Sequence, residues 1–231
     1  MLALSRLCVH SFENRGNLMT KKETILKIKE IFDTVYADAK CSLNFTTPHE
    51  LLVAVQLSAQ CTDARVNLVT PALFAKYKSV YEFASANEEE LCELIRPCGF
   101  YRTKGRNIIA SSQKICKDFG GIVPNEMTDL LSLAGVGRKT ANLILGDVYG
   151  KPGLVIDTHA IRLTNRIGLV SAKDPVKIEF SLAKFVPSDY QTRFCHQLVY
   201  HGRAVCTASK PACSSCPIAE LCKRKNVIKS I

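Results

Sequence analysis

Apolar side chains recur every three or four positions along most of this chain, which is the spacing of amphipathic helices. Ile25, Ile28, Phe32 and Val35 form one such stripe, and Thr20 followed by Glu23 places a capping box in front of it. Thr47-Pro48-His49-Glu50 is a second start signal: a cap, proline at the first helical position, and glutamate three residues after the cap. Behind it, Leu51, Leu52, Val53, Val55 and Leu57 are apolar on nearly every face, which predicts a central, buried helix. Asn87 to Glu93 holds Glu88, Glu89, Glu90 and Glu93 and reads as a solvated helical face. Asp174-Pro175 opens another helix, and Ser188 to Gln191 has capping-box spacing before one more. Strand patterns are scarce, and Gly120-Gly121-Ile122-Val123-Pro124 reads as a turn or loop. The pattern predicts an all-α protein of eight to ten helices, taking the usual length of about 11 residues each.

Composition sharpens this picture. The chain has 231 residues, enough for one or two domains with a real core. Hydrophobic residues are 47% and charged residues 23%, a globular balance that excludes global disorder or a collagen-like chain. Leu51 to Thr62 is free of charged side chains for 12 residues. That falls short of the roughly 18 that a membrane span needs, so no membrane role is expected. Lys and Arg number 31 against 21 Asp and Glu, a formal net charge of +10. Such a surface attracts polyanions, nucleic acid first and an anionic membrane surface second.

There are eleven cysteines. Arg6 breaks the apolar patch Leu2–Val9, and no small-residue cleavage site follows it. An odd cysteine count without a secretory leader predicts a reducing, intracellular compartment rather than a disulfide framework. A cleaner helical segment begins at Met19, so residues 1–18 are expected to form a loosely ordered extension.

Four local patterns carry chemistry. The first is Leu133-Ala134-Gly135-Val136-Gly137-Arg138-Lys139-Thr140-Ala141. Leu130, Leu131 and Leu133 lead into Gly-Val-Gly, and a second helix follows with Ala141, Leu143, Ile144 and Leu145. Two glycines permit a tight hairpin with exposed backbone amides at a helix N-terminus, a phosphate site backed by Arg138 and Lys139. This is the helix-hairpin-helix pattern of DNA-binding proteins. The second pattern pairs Lys139 with Asp157. A cation in the first turn of a helix is locally unfavourable, and Arg138 adds like charge, so a neutral, nucleophilic amine is favoured. Asp157 follows the short apolar run Val155-Ile156 at a helix N-cap position. Read alone, Lys139 is also a phosphate-binding lysine and Asp157 a structural cap.

The third pattern is Cys206-x6-Cys213-x2-Cys216-x5-Cys222, four cysteines within 17 residues. Thiolate ligation of a metal centre explains that density in a reducing compartment. Zinc sites usually show two close cysteine pairs. Here only Cys213 and Cys216 are close, and the wide gaps favour a four-iron cluster over one zinc ion. The remaining cysteines read as buried or surface thiols. The fourth pattern is Leu57-Ser58-Ala59-Gln60-Cys61-Thr62-Asp63, where small and polar residues end the buried helix and suit close approach to a ligand.

Together with His-Gly-Arg at 201–203, these patterns resemble the endonuclease III family of DNA glycosylases, in the family's order and over roughly residues 20–231. The resemblance implies two helical domains with a DNA groove between them. One is a six-helix barrel carrying the hairpin, residues 41–151. The other joins residues 19–40 to residues 152–231 and holds a [4Fe–4S] cluster on Cys206, Cys213, Cys216 and Cys222. It implies a monomeric, intracellular base-excision enzyme, cytoplasmic or at the nucleoid in a prokaryote. Its substrate is double-stranded DNA with oxidised pyrimidines or abasic sites. Lys139 attacks the sugar as nucleophile and Asp157 assists. Gln60 fills the gap left by the flipped nucleotide and Phe100 wedges beside it, where the family often carries leucine. Gly135, Val136, Gly137 and Arg138 hold the DNA backbone, as does Lys210 in a cysteine loop less basic than is usual.

Sibling adenine and mismatch thymine glycosylases typically carry serine or tyrosine at the Lys139 position, and Val55 stands where the adenine enzymes need a glutamate. A non-catalytic iron–sulfur DNA-binding or redox-sensing protein would use the hairpin and the cysteines but give Lys139 and Asp157 no joint role.

Overall fold

The computed structural model describes residues 19–231, so the extension expected over residues 1–18 lies outside the described residues. Among the described residues the chain is helical throughout, with no strand. Eleven α-helices occur: α1 Lys21–Val35, α2 Pro48–Ser58, α3 Asp63–Lys76, α4 Val80–Ala84, α5 Glu88–Ile95, α6 Tyr101–Phe119, α7 Met127–Leu131, α8 Arg138–Asp147, α9 Thr158–Ile167, α10 Pro175–Leu182 and α11 Gln191–Ala204. Three 3₁₀ turns join them at Arg96–Cys98, Ser188–Tyr190 and Ala219–Leu221. The excess over eight to ten α-helices comes from α4 and α7, five residues each and too short to show a periodic stripe.

Local capping sets most helix starts. Thr20 with Glu23 and Thr47 with Glu50 both close reciprocal capping boxes. Asp174 caps α10 by accepting the Lys177 amide at 2.8 Å. The capping box expected at Ser188–Gln191 does not form. Ser188–Tyr190 is a 3₁₀ turn, and α11 starts after Tyr190 without a side-chain cap. Of the α1 stripe, Ile25, Ile28 and Phe32 are fully buried, while Val35 at the C-terminal end is exposed.

Two hydrophobic cores result. The first gathers residues between Leu43 and Leu145, with α2 buried along Leu51–Leu57 at its centre. The second joins Ile25, Ile28 and Phe32 of α1 to residues from Leu154 to Ile218. Leu143 of α8 packs against both cores. The chain therefore leaves the second lobe after α1, builds the first lobe, and returns.

Candidate active site and cysteine centre

The hairpin forms between α7 and α8. Val136 is buried, and its amide donates to the Leu133 carbonyl at 3.2 Å. Gly135 sits at φ 72°, the left-handed region, and a Cβ there would come within 2.9 Å of the Asn107 side chain. Both backbone and packing therefore require glycine. The Gln56 side-chain amide donates to the Ala134 carbonyl at 2.8 Å, tying the buried helix to this loop. Gly137 is the N-cap of α8, and no side chain caps it. In contrast, Thr47, Thr62 and Asp157 cap α2, α3 and α9. The first amides of α8 stay open to an anion.

Arg138 is not a free cation. Its Nε donates to Glu179 Oε2 at 3.0 Å, its Nη2 donates to Glu179 Oε1, and its guanidinium stacks on the Phe180 ring at 5.1 Å. The like charge expected to act on Lys139 from Arg138 is thus offset by Glu179.

Lys139 is exposed in the first turn of α8. Asp157 caps α9, its Oδ1 accepting the Ala160 amide at 2.8 Å. The apolar run Leu154–Ile156 that delivers it is buried. Lys139 and Asp157 line one cleft between the lobes, with about 940 Å³ of space, open solvent included. Cys41, Ser42, Val55, His159, His196 and Tyr200 also line it. Burial holds the His159 imidazole below its usual range, against the opposing pull of Asp157. The capping role read for Asp157 and its place in the cleft are compatible, because the cap occupies one carboxylate oxygen.

Several cleft residues were not singled out by sequence reasoning. Asp63 Oδ2 accepts from Ser42 Oγ at 2.6 Å and from Arg203 Nη2 at 3.0 Å, bridging the lobes across 140 residues. Asp63 and Arg203 lie inside the quoted motifs, so their positions were marked although their pairing was not. His196 Nε2 stands 2.8 Å from Asp147 Oδ1, joining α11 to the end of α8, and no sequence signal marked it.

Gln60 and Phe100 border a second, smaller pocket together with Ala59, Thr103, Asn107 and Gly135. Both residues adopt left-handed backbone, φ 55° and 48°, which is uncommon for non-glycine residues. Phe100 is 67% exposed. Lys210 is exposed in the first cysteine loop, where its carbonyl accepts from Thr207 Oγ1 at 2.8 Å.

Cys206, Cys213, Cys216 and Cys222 line one cavity whose other walls include Leu163, Ile167, Val205 and Ile218. Among the described residues no three His, Cys, Asp or Glu side chains are grouped tightly enough for a single ion. Four thiols lining one apolar hollow are an all-sulfur donor set of the kind that holds an iron–sulfur cluster. Burial first, and then the neighbouring thiols, push Cys216 and Cys222 up, a repulsion that a cationic centre relieves.

The surroundings supply positive charge. Arg166 Nη1 donates to Cys206 Sγ at 3.3 Å and to the Thr207 carbonyl at 2.7 Å, and Nη2 donates to the Ala208 carbonyl at 2.8 Å. Arg162 Nη2 donates to the Cys206 carbonyl at 3.0 Å. These two α9 side chains shape the first cysteine loop. The buried His201 lies between the Tyr36 hydroxyl at 2.8 Å and Cys216 Sγ at 3.6 Å. Outer contacts of this kind orient ligands and tune a metal centre.

Comparison with known proteins follows the same outline. Residues 53–188 match the model of the HhH-GPD superfamily base excision DNA repair protein, and residues 206–222 match the iron-sulfur binding domain of endonuclease III. The chain is 46% identical over 206 residues to Endonuclease III of Synechocystis sp., covering 89% of this chain and 94% of that one. It is 42% identical to Endonuclease III of Bacillus subtilis, over 82% and 87% of the two chains. A solved non-covalent Endonuclease III–DNA complex superposes with a TM-score of 0.83 at 38% identity, over 89% of this chain and 97% of that one. A thermostable thymine-DNA glycosylase shares the fold at a TM-score of 0.78 and 20% identity, over 87% and 96% of the two chains.

Proposed function

The chain belongs to the endonuclease III family, a base excision repair DNA glycosylase and AP lyase that binds DNA and carries a [4Fe–4S] cluster, and we propose that it excises oxidised pyrimidines through a Schiff base on Lys139. The observation that carries this reading is the convergence of Lys139 and Asp157 on one interlobe cleft beside the uncapped start of α8.

The steps follow from these side chains. A damaged nucleotide has to leave the stack before its C1′ can be reached. The uncapped amides of α8, with Gly135, Val136 and Gly137 shaping the turn, hold a DNA phosphate, and Lys210 approaches the backbone from the cysteine loop. Arg138 braces the hairpin through its ion pair with Glu179, which offsets its charge. Gln60 enters the gap in the duplex and Phe100 wedges beside it. The Lys139 amine attacks C1′ and the base departs. Asp157 assists deprotonation of Lys139 and stabilises the cationic sugar. The opened sugar forms an iminium with Lys139, an electron sink that a carboxylate, imidazole or hydroxyl side chain cannot provide. Loss of a proton from C2′ then expels the 3′ phosphate.

Cys206, Cys213, Cys216 and Cys222 would hold the cluster, which would cross-link the C-terminal segment in a structural role. The two domains are residues 41–151 and residues 19–40 with 152–231. The enzyme acts as a monomer, since one chain supplies both Lys139 and Asp157. Its substrate is duplex DNA with damaged pyrimidines or abasic sites, in the cytoplasm or at the nucleoid of a prokaryote.

The test is borohydride trapping on an abasic-site duplex. The wild-type chain gives a covalent adduct, and Lys139→Gln gives none while still binding DNA. An adduct at wild-type level from Lys139→Gln would remove Lys139 from the nucleophile role. An anaerobic preparation should carry about four irons per chain, and stoichiometric zinc without iron would overturn the cluster assignment.

A further inference from the structure

Lys104 is the only lysine buried among the described residues, 6% exposed, and it takes no part in the steps given above. A charged side chain is almost never fully buried unless it is paired. Here two carbonyl oxygens, not a carboxylate, hold the ammonium. Nζ donates to the Leu57 carbonyl at 2.8 Å and to the Cys98 carbonyl at 2.9 Å. Each carbonyl ends an element. Leu57 lies in the last turn of α2, where the Cys61 amide donates to Ser58 at 3.0 Å instead of continuing the helical ladder to Leu57. The negative end of the α2 dipole falls there and favours a cation. Cys98 closes the 3₁₀ turn Arg96–Cys98. The Lys104 backbone amide in turn donates to the Phe100 carbonyl at 3.0 Å, which closes the first turn of α6.

The two carbonyls stand at the roots of the two DNA-facing turns. Gln60 comes shortly after Leu57, and Phe100 shortly after Cys98. Gln60 and Phe100 are exposed and line one pocket with Lys104. Both hold left-handed backbone, which persists only where its surroundings impose it.

We propose that Lys104 is a positioning residue for duplex DNA: its single buried ammonium fixes the spacing of the Gln60 turn and the Phe100 turn, so that both side chains reach the duplex together. This rests on the wedge roles given to Gln60 and Phe100 above and adds what sets their separation. Leu57 and Lys104 are 47 residues apart, so local chain geometry does not set that separation, whereas a shared donor does. Burial works against the charged form of Lys104, and the two fixed carbonyl dipoles replace the water it has lost. Without the ammonium the two carbonyls lose their common partner, and each turn settles on its own.

The experiment measures single-turnover base excision by the cluster-loaded enzyme on an oligonucleotide with one thymine glycol, as a duplex and as a single strand. Lys104→Met keeps most of the stem and removes all three donors. Duplex excision should fall about tenfold or more, the scale on which displaced positioning groups act. Single-strand excision should fall several times less, because a single strand has no gap to fill. A merely structural loss would slow both substrates alike, so equal losses would overturn the proposal. Lys104→Gln, whose shorter amide reaches one carbonyl at most, should give an intermediate loss that is still selective for the duplex. It carries the test if Lys104→Met does not fold.

A mutant cycle gives the second readout. In a Gln60→Ala Phe100→Ala background, Lys104→Met should add little to the loss on duplex, because the side chains it positions are gone. Full additivity would mean that Lys104 acts elsewhere and would also overturn the proposal. The underlying readings are tested separately. A wild-type chain inactive on both substrates would refute the glycosylase reading. A Gln60→Ala Phe100→Ala variant without duplex selectivity would remove the wedge roles, and this proposal with them.

Discussion

Arg138 and Glu179 pair fork to fork, Nε donating to Oε2 at 3.0 Å and Nη2 to Oε1, so the most basic stretch of the hairpin is anchored to α10. The pair is partly buried, with the two side chains 32% and 13% exposed. Glu179→Gln should lower stability by about 1–2 kcal/mol, the scale of a charge-assisted hydrogen bond discounted for exposure. It also frees one cation beside the phosphate site. The slope of log K against log salt should steepen by about 0.9, one extra neutralised phosphate. Fluorescence anisotropy on a short duplex across 50 to 200 mM salt measures this, and an unchanged slope would mean that Arg138 stays out of reach of DNA.

Asp157→Asn keeps the cap of α9, since asparagine accepts an amide as well as aspartate does. Thermal stability should therefore change little. Loss of the charge should slow base excision by about 10²–10³, as for other single electrostatic groups. Cleavage of a pre-formed abasic site should suffer less, because no base has to leave. Single-turnover kinetics on the two substrates separate these effects, and normal excision by Asp157→Asn would reduce the residue to a cap.

Gln60→Ala should impair processing of paired damage more than of single strands. The gap that Gln60 fills exists only in a duplex, where unstacking and unpairing cost a few kcal/mol. Removing a side chain from left-handed backbone leaves the strain in place, so stability gains nothing. Equal losses on duplex and single-stranded substrates would assign Gln60 another task.

His49 gives a pH prediction. Its ring is buried, Nε2 lies 2.9 Å from Ser112 Oγ, and Ser112 Oγ itself donates to the Ile108 carbonyl. Nε2 therefore donates, and the ring is neutral. Burial lowers its pKa from the ordinary 6.5 of an exposed imidazole to about 4. Below pH 6.5 the unfolded chain binds the proton and the folded one does not, so stability is whole above pH 6.5 and falls as pH drops towards 4. The full shift corresponds to about 3 kcal/mol. His49→Gln should flatten the melting temperature between pH 6.5 and 4 relative to wild type. An equally steep curve would place the acid sensitivity elsewhere.

Legibility followed the range of the physics. Capping boxes at Thr20 and Thr47, the turn at Gly135 and the cap at Asp157 are settled within four residues, and sequence spacing alone predicts them. Ser188 shows the limit, because identical spacing gives a 3₁₀ turn there. The pairing of Asp63 with Arg203, and of Arg138 with Glu179, depends on how distant helices meet, which local pattern does not encode. Arg166, which donates to Cys206 Sγ, reads in the sequence as an ordinary helical arginine. The cysteines were legible because their spacing is itself the chemistry.

The return of the chain to the second lobe sets a timetable for synthesis. Tyr36, just past α1, meets His201 only after 165 more residues. At 5–20 residues per second, that interval lasts roughly 10–30 s. Throughout it, Ile25, Ile28 and Phe32 have emerged from the ribosome without the partners that finally bury them. The intervening lobe contains its own core and can close first. The apolar face of α1 thus stays uncovered until Phe194 and Leu198 arrive, and a stop codon before them would strand it permanently.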